Sequence, residues 1–271
     1  MTHRVDTEHG ADAAAAADTS GLRATELTVR FGGNTAVSGI SFTAPRGRVT
    51  GLIGPNGAGK TTTFNACSGL LAPSAGRVAL FGEDVTARGP ARRARLGLGR
   101  TFQRMELFDT LTVEENVALG REARLAGSHP LRQVVNPPAQ RKAVRAATED
   151  ALELCMLGQQ RRAIAGSLST GQRRLVDLAR VLAGGFSVLL LDEPSSGLDT
   201  AETRRFGEII GRVVAEHGSG VLLVEHDMAL VMDICEHIHV LDFGELVFAG
   251  TPSEVRSSET VRAAYLGSEA G

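Results

Sequence analysis

The stretch that decides the fold is VTGLIGPNGAGKTTT, residues 49–63. Its first five residues, Val49 to Ile53, are mostly apolar and predict a buried strand. The pattern G-x-x-x-x-G-K-(S/T) follows over residues 54–61, and a helix is predicted from about Lys60 to Gly69. A strand, a glycine-rich turn and a helix in this order begin a parallel α/β unit, so we expect an α/β fold.

The glycine-rich turn has the chemistry of a phosphate-binding site. Its glycines allow backbone N–H groups to surround phosphate oxygens, and the following helix adds the positive end of its dipole. Lys60, one of only two lysines among 29 basic residues, supplies a compact charge to the β and γ phosphates, and the Thr61 hydroxyl suits Mg²⁺. The residues expected to bind a nucleoside triphosphate here are Gly54, Pro55, Asn56, Gly57, Ala58, Gly59, Lys60, Thr61 and Thr62.

A second motif is a pair of carboxylates at the end of another predicted strand. Val188 to Leu191 are apolar, and Asp192 and Glu193 follow directly. Ligands of open α/β sheets bind at the carboxyl edge of the strands, where these two side chains are expected. We expect Asp192 to hold Mg²⁺ and Glu193 to orient and activate an attacking water. The alternative is a strand that runs into an acidic surface loop.

A third motif is Leu168-Ser169-Thr170-Gly171-Gln172, which begins a predicted helix that ends at Gly184-Gly185. The apolar residues Leu175, Leu178, Ala179 and Leu182 give that helix a core-facing side. Ser169 and Gln172 also fit an ordinary capping box, which is the alternative interpretation of this stretch.

With these three motifs together, residues 22–266 resemble the ATP-binding cassette (ABC) family. The third motif resembles the family's signature LSGGQ, with Thr170 in place of the first glycine. The resemblance implies a P-loop NTPase (RecA-like) α/β core with an N-terminal antiparallel β subdomain and an inserted α-helical subdomain. It also implies ATP and Mg²⁺ as cofactors and ATP hydrolysis as the activity.

The resemblance assigns roles to further residues. Gln103 is similar to the glutamine that reaches Mg²⁺ and the attacking water, and His226 is similar to the switch histidine that contacts the γ-phosphate. Asp199, in Ser196-Gly197-Leu198-Asp199, resembles the aspartate of the D-loop, and Phe31 matches the aromatic residue that stacks on adenine. Without the resemblance, Gln103 would be assigned as a surface glutamine and His226 as a surface or core histidine. Asp199 would be assigned as a helix N-cap and Phe31 as a core phenylalanine.

The signature implies a dimer. In ABC proteins the helix N-terminus that carries it binds the γ-phosphate held by a second cassette, a role that falls here to Ser169, Gly171 and Gln172. This chain has one copy of each motif, so we expect a homodimer or a heterodimer with a similar cassette.

Shorter stretches, including Gly99-Arg100-Thr101-Phe102-Gln103 and Glu225-His226-Asp227-Met228, resemble most the ATP-binding subunits of branched-chain amino acid importers. This implies transmembrane permease subunits as partners, a periplasmic or extracellular substrate-binding protein as an indirect one, and the cytoplasmic side of a bacterial membrane as the location. The alternatives are another ABC system, such as lipopolysaccharide export, or a soluble non-transport ABC protein. No nucleic-acid partner is expected.

Residues 1–20 are low in complexity and predicted to be a disordered tail, with the ABC domain over 21–271. Its core is expected at 21–103 and 175–271 and the helical subdomain at about 104–174, with a loop from Gly127 to Gln140. Because strands lie on both sides of the helical region, one core with an insertion explains the order better than two tandem domains.

Composition limits the remaining possibilities. The net charge of −2 provides no global basic field for nucleic acid or anionic lipid. We expect no membrane span, no signal peptide and no disulfide framework, with Cys67, Cys155 and Cys235 as buried small hydrophobes. Met105, Leu107 and Phe108 are expected to dock on the permease, although packing inside the helical subdomain is an equal alternative for each.

Overall fold

The computed structural model describes residues 21–101, 106–126 and 138–267. The predicted tail 1–20, Gln103, Met105 and most of the predicted loop from Gly127 lie outside these residues. The strands are β1 (Leu22–Phe31), β2 (Asn34–Ala44), β3 (Val49–Ile53), β4 (Ala75–Leu80), β5 (Glu83–Asp84), β6 (Leu98–Arg100), β7 (Val188–Asp192), β8 (Gly220–Val224), β9 (His237–Asp242) and β10 (Glu245–Gly250).

The helices lie between and after these strands. They are α1 (Lys60–Ser68), α2 (Pro90–Leu96), α3 (Val113–Ala126), α4 (Pro138–Leu154), α5 (Thr170–Ala183), α6 (Thr200–His217), α7 (Met228–Ile234), α8 (Pro252–Ser257) and α9 (Glu259–Gly267). Among the residues that the structure describes, no helix is both long and apolar enough to cross a membrane.

Two sheets form the framework. The first is antiparallel with strand order β2-β1-β4-β5, and the second has the order β10-β9-β3-β8-β7-β6. In the second sheet β6, β7, β8, β3 and β9 run parallel, and β10 is an antiparallel edge strand. The carboxyl ends of β3, β7 and β8 therefore meet at one edge, which is where both the phosphate-binding turn and the acidic pair begin.

Both faces of the parallel sheet are buried. Along β7, Leu189 and Leu191 pack with the helices on one face, while Val188 and Leu190 pack with the antiparallel sheet and α1 on the other. Strands that are covered on both faces are continuously apolar, which explains why β3 and β7 were predicted from sequence.

The helical region lies between β6 and β7 in the chain, and α5 packs against both α3 and α4. The expected subdomain boundary between residues 174 and 175 falls inside α5, which is one continuous helix. The predicted loop from Gly127 to Gln140 extends too far, because α4 already begins at Pro138. Proline is common at the first position of a helix, where its missing N–H costs no hydrogen bond. The three cysteines are free and buried, as predicted.

Candidate functional site

The phosphate-binding turn connects β3 directly to α1. Lys60 is buried at the start of α1, and its Nζ donates hydrogen bonds to the carbonyl oxygens of Gly54 (2.7 Å) and Pro55 (2.9 Å). Burial lowers the pKa of Lys60, and the nearby charges of Glu193 and Asp192 act in the opposite direction. The turn therefore wraps around its own lysine, with two carboxylates close enough to affect it.

The N-terminus of α1 has no side-chain cap. Its N-cap is Gly59, with φ of +96°, and no side chain accepts a hydrogen bond from the first turn. A Cβ at Gly59 would lie 2.7 Å from the carbonyl oxygen of Ala36, so only glycine fits this close approach. The N–H groups of the first turn are therefore left for an anion, which suits a phosphate.

A cleft of about 190 Å³ opens at this turn. Residues from the turn, α1, β2 and the ends of two strands line it: Ala36, Asn56, Gly57, Gly59, Lys60, Thr61, Thr62, Glu193 and His226. The cleft joins the predicted phosphate-binding residues to both predicted catalytic residues that the structure describes.

Glu193 and His226 are in direct contact at the edge of the sheet. The Nε2 atom of His226 lies 2.8 Å from Oε1 of Glu193, although 33 residues separate them in sequence. Glu193 has a φ of +47°, and its N–H donates to the carbonyl oxygen of Val224 at the end of β8. A glutamate with positive φ is strained, and such strain is concentrated at functional sites.

Asp192 is buried at the end of β7 and paired with an arginine. Arg100, at the end of β6, places Nη2 at 3.2 Å from Oδ2 of Asp192. Burial raises the pKa of Asp192, and the positive charge of Arg100 opposes that effect. Thr61 and Asp192 both offer oxygen ligands, which is the donor chemistry that Mg²⁺ prefers, so these residues fit that ion.

Sequence reasoning missed Glu225 as a site residue. Its buried carboxylate accepts hydrogen bonds from the backbone N–H groups of Ser195 (2.7 Å) and His226 (3.0 Å). It therefore fixes the segment after Glu193 to the segment that carries His226. The available signal was an acidic residue directly after the apolar strand β8, which resembles the placement of Asp192 after β7.

The signature residues lie outside this cleft. Ser169 caps α5, and its side chain and that of Gln172 form both hydrogen bonds of a capping box. A Cβ at Gly171 would lie 2.2 Å from Oε1 of Glu202, so the start of α5 packs against the first turn of α6. The capping-box interpretation is confirmed for these residues. It does not exclude a second role.

Two other predicted residues have clear positions. Asp199 caps α6 and accepts a hydrogen bond from the N–H of Glu202 (2.8 Å), so its predicted N-cap role is confirmed. Phe31 is 53% exposed at the end of β1, so the alternative that it belongs to the core is wrong.

Comparison with known proteins identifies the family. The family model described as ABC transporter matches residues 37–196. The chain belongs to the ABC transporter family. A second model, described as branched-chain amino acid ATP-binding cassette transporter, matches residues 245–271. The predicted resemblance is therefore confirmed, and this ABC protein is an ATPase, as the family resemblance implied.

Relatives of this ABC protein are similar over almost their full length. The high-affinity branched-chain amino acid transport ATP-binding protein BraF of Pseudomonas aeruginosa is 39% identical. The match covers 91% of this chain and 97% of BraF. The high-affinity branched-chain amino acid transport ATP-binding protein LivG of Salmonella typhimurium is 36% identical, and the match covers 89% of this chain and 95% of LivG. The lipopolysaccharide export ATP-binding protein LptB of Haemophilus influenzae is 32% identical over 92% and 98%.

Solved structures confirm the fold class. An ATP-binding cassette of an ABC transporter in its ADP conformation superposes with a TM-score of 0.80 at 30% identity, covering 91% of this chain and 98% of that one. A nucleotide-free cassette superposes with a TM-score of 0.79 at 29% identity, covering 90% and 98%. The expected mixed α/β cassette with an antiparallel sheet is thus confirmed.

Proposed function

We propose that this chain is the ATPase subunit of an importer for branched-chain amino acids or related small ligands, working as a dimer on transmembrane permease subunits. The observation that carries the catalytic part is the contact between Glu193 and His226 beside Lys60 in one cleft. The substrate class is supported by the match of residues 245–271 and by the similarity to BraF and LivG.

Residues in and around the cleft divide the work of hydrolysis. Lys60 and the N–H groups of α1 bind and orient the phosphates, and Phe31 stacks on the base. Glu193 takes a proton from the attacking water, while His226 holds the Glu193 carboxylate in place and contacts the γ-phosphate. Thr61, Asp192 and Gln103 would hold Mg²⁺, which would supply positive charge next to the phosphates.

The second cassette completes the site. Ser169, Gly171 and Gln172 of one chain bind the γ-phosphate held by Lys60 of the other, and Asp199 lies beside that interface. Because the start of α5 lies outside the cleft of its own chain, a partner is needed to bring the two together. Loss of the γ-phosphate then releases the two chains from each other.

The permease docks in an apolar groove of the core, beside α3 of the helical subdomain. An apolar groove of about 320 Å³ is lined in part by Leu70, Ala94 and Phe186, and Arg124 of α3 stacks on the Phe186 ring. Leu70 is exposed, as expected of a residue that a partner covers. The groove suits an apolar helix of the membrane subunits.

Phe108 supplies a second part of this docking surface. It is 56% exposed, while the buried Asn116 side chain accepts from its N–H (2.9 Å) and donates to its carbonyl oxygen (3.1 Å). Leu107 instead packs partly against the core, which supports internal packing for Leu107, whereas the exposure of Phe108 does not. Arg180 of α5 donates to the carbonyl oxygen of Glu106 (2.5 Å), which ties the docking segment to the helix that begins at Ser169.

Uptake measurements test the substrate class. We expect deletion of the gene in its own host to abolish high-affinity uptake of leucine, isoleucine and valine, with proline uptake as the unaffected control. The wild-type gene restores uptake, and Glu193→Gln does not. The specific alternative is lipopolysaccharide export, which the similarity to LptB favours. Normal leucine uptake together with an outer-membrane defect would support that alternative.

Substitutions at Phe108 and in the groove test the docking surface. Phe108→Asp and Leu70→Asp are expected to reduce co-purification with the permease subunits and to reduce uptake, while the isolated chain keeps its ATPase activity. Met156→Asp is the matched control, because Met156 is exposed and apolar but lies outside both the groove and the segment that carries Phe108. Equal assembly of all three variants would place the docking surface elsewhere.

A further inference from the structure

Arg100 lies where three motif-bearing elements meet. It is the last residue of β6 and pairs in register with Leu190 of β7, two residues before Asp192. Its side chain is 11% exposed and that of Asp192 is 4% exposed. Two buried, oppositely charged groups at this distance hold each other strongly, because little water competes for them.

The guanidinium of Arg100 is fixed from both sides. Nη2 bonds to Asp192, and Nη1 donates to Oδ1 of Asn65 (2.8 Å) and Oγ of Ser68 (2.7 Å) on α1. The Phe64 ring, also on α1, lies 5.0 Å from the guanidinium carbon. A planar group held at both ends and stacked on a ring has little freedom to rotate. Asp192 is therefore tied to the helix that begins at Lys60.

A second buried arginine shows what a purely structural role looks like. Arg93 also contacts α1, but it donates to the backbone carbonyl oxygens of Ala66 and Cys67 and, outside α1, to those of Thr86 and Arg88. These contacts close the C-terminal end of α1 and reach no predicted site residue. Arg100 differs because one of its partners is the carboxylate that is expected to hold Mg²⁺.

We propose that Arg100 is a positioning residue that holds the Asp192 carboxylate in place to receive the Mg²⁺ of bound ATP. The proposal rests on the proposed function, because it needs a nucleotide and Mg²⁺ at this site. Nη2 of Arg100 donates to Oδ2 of Asp192, and a carboxylate has two oxygens that can act as ligands. Its anchors Asn65 and Ser68 couple the position of Asp192 to α1, so the metal ligand and the phosphate-binding turn stay in a fixed relation.

Magnesium dependence separates this role from a structural one. A fluorescent ATP analogue is titrated in EDTA and then at increasing Mg²⁺, in a Glu193→Gln background that prevents hydrolysis. Mg²⁺ is expected to increase the affinity for the ATP analogue. We expect Arg100→Gln to raise about tenfold the Mg²⁺ concentration that gives half of this increase, which is the size typical of a lost outer-shell partner. The affinity in EDTA should change less than about twofold. Arg100→Lys keeps the charge and should lie between wild type and Arg100→Gln.

Controls make the outcome decisive. Arg93→Gln should lower the melting temperature without changing the Mg²⁺ dependence, and Asn65→Ala should raise the half-maximal concentration while leaving Arg100 in place. If Arg100→Gln does not fold, Arg100→Lys and Asn65→Ala carry the test. The proposal would be overturned if Arg100→Gln changed the nucleotide affinity equally in EDTA and in Mg²⁺, or did not change the Mg²⁺ dependence at all. If Mg²⁺ has no effect on the wild-type chain, the proposed cofactor is wrong instead.

Discussion

The N-termini of α1 and α5 are both predicted to bind phosphate, yet they are built differently. The first begins at Gly59 in a left-handed conformation and has no side-chain cap, whereas the second begins at Ser169 and has a complete capping box. The first opens into the cleft with Glu193 and His226, and the second does not. Helices α6, α7 and α8 are also capped by side chains, whereas α2, like α1, has a glycine N-cap and no side-chain cap.

This difference indicates that the two helix N-termini bind phosphate with different affinity. At α1 the N–H groups have no intrachain side-chain partner, so a phosphate there gains their full hydrogen bonding together with the charge of Lys60. At α5 the Ser169 side chain already accepts a hydrogen bond from one of the N–H groups of the first turn. Phosphate binding at α1 should therefore supply most of the affinity, while α5 should contribute mainly to the closed dimer.

The largest expected effects on ATP binding and hydrolysis come from substitutions in the cleft at the N-terminus of α1. Lys60→Ala should abolish ATP binding because it removes the charge partner of the phosphates. Glu193→Gln should keep binding and lower hydrolysis by about 10²- to 10⁴-fold, because only the water-activating carboxylate is lost. Nucleotide binding and phosphate release measured for both variants check this. Equal loss of binding in the two would show that Glu193 is structural.

A smaller effect is expected at the α5 end. Ser169→Ala removes the cap and should lower the free energy of unfolding by about 1 kcal/mol. It should also lower the ATPase rate by about tenfold, the value of one hydrogen bond to a charged group. Thr251→Ala is the matched control, because Thr251 caps α8 with the same kind of box. It should cost similar stability and leave the rate unchanged. Equal ATPase rates in the two variants would mean that Ser169 acts as a cap alone.

The smallest expected effect concerns local stability. Burial raises the pKa of Cys67 in α1 and of Cys155 after α4 to about 12, so both thiols should react slowly at pH 8 and only after local opening. In single-cysteine variants, ATP at about twice its Kd should slow modification of Cys67 about threefold, because the ligand stabilises α1. Cys155 should change much less. Equal protection would show that nucleotide stabilises the helical region as much as α1.

Local patterns predicted much of the site. The turn after β3, the acidic pair after β7 and the cap of α5 each depend on a few consecutive residues, so sequence sufficed. Arg100 and Glu225 were missed because their roles depend on contacts between distant segments: Arg100 is 92 residues from Asp192, and Glu225 is 30 residues from Ser195. Such contacts exist only after the sheet order is set.

The missed strands have a related explanation. β4 and β10 have few buried residues, and β6 has only three residues, so their apolar patterns are weak. They are stabilised by pairing with β1, β9 and β7 rather than by their own sequence preference. The helical region was predicted as an insertion, but its predicted end falls inside α5, because α5 packs on the helical pair and also leads into the parallel sheet.

The central claim is that the two helix N-termini meet only between chains. Its most direct test mixes Lys60→Ala chains with Ser169→Arg chains, under conditions where differently tagged chains demonstrably form mixed dimers. Each mixed dimer then keeps one intact site, formed by Lys60 of one chain and Ser169 of the other. We expect ATPase activity to recover to about a quarter of the wild-type rate, since half of the dimers are mixed and each has one of two sites. Activity that stays at the level of the unmixed variants, although mixed dimers form, would contradict the claim.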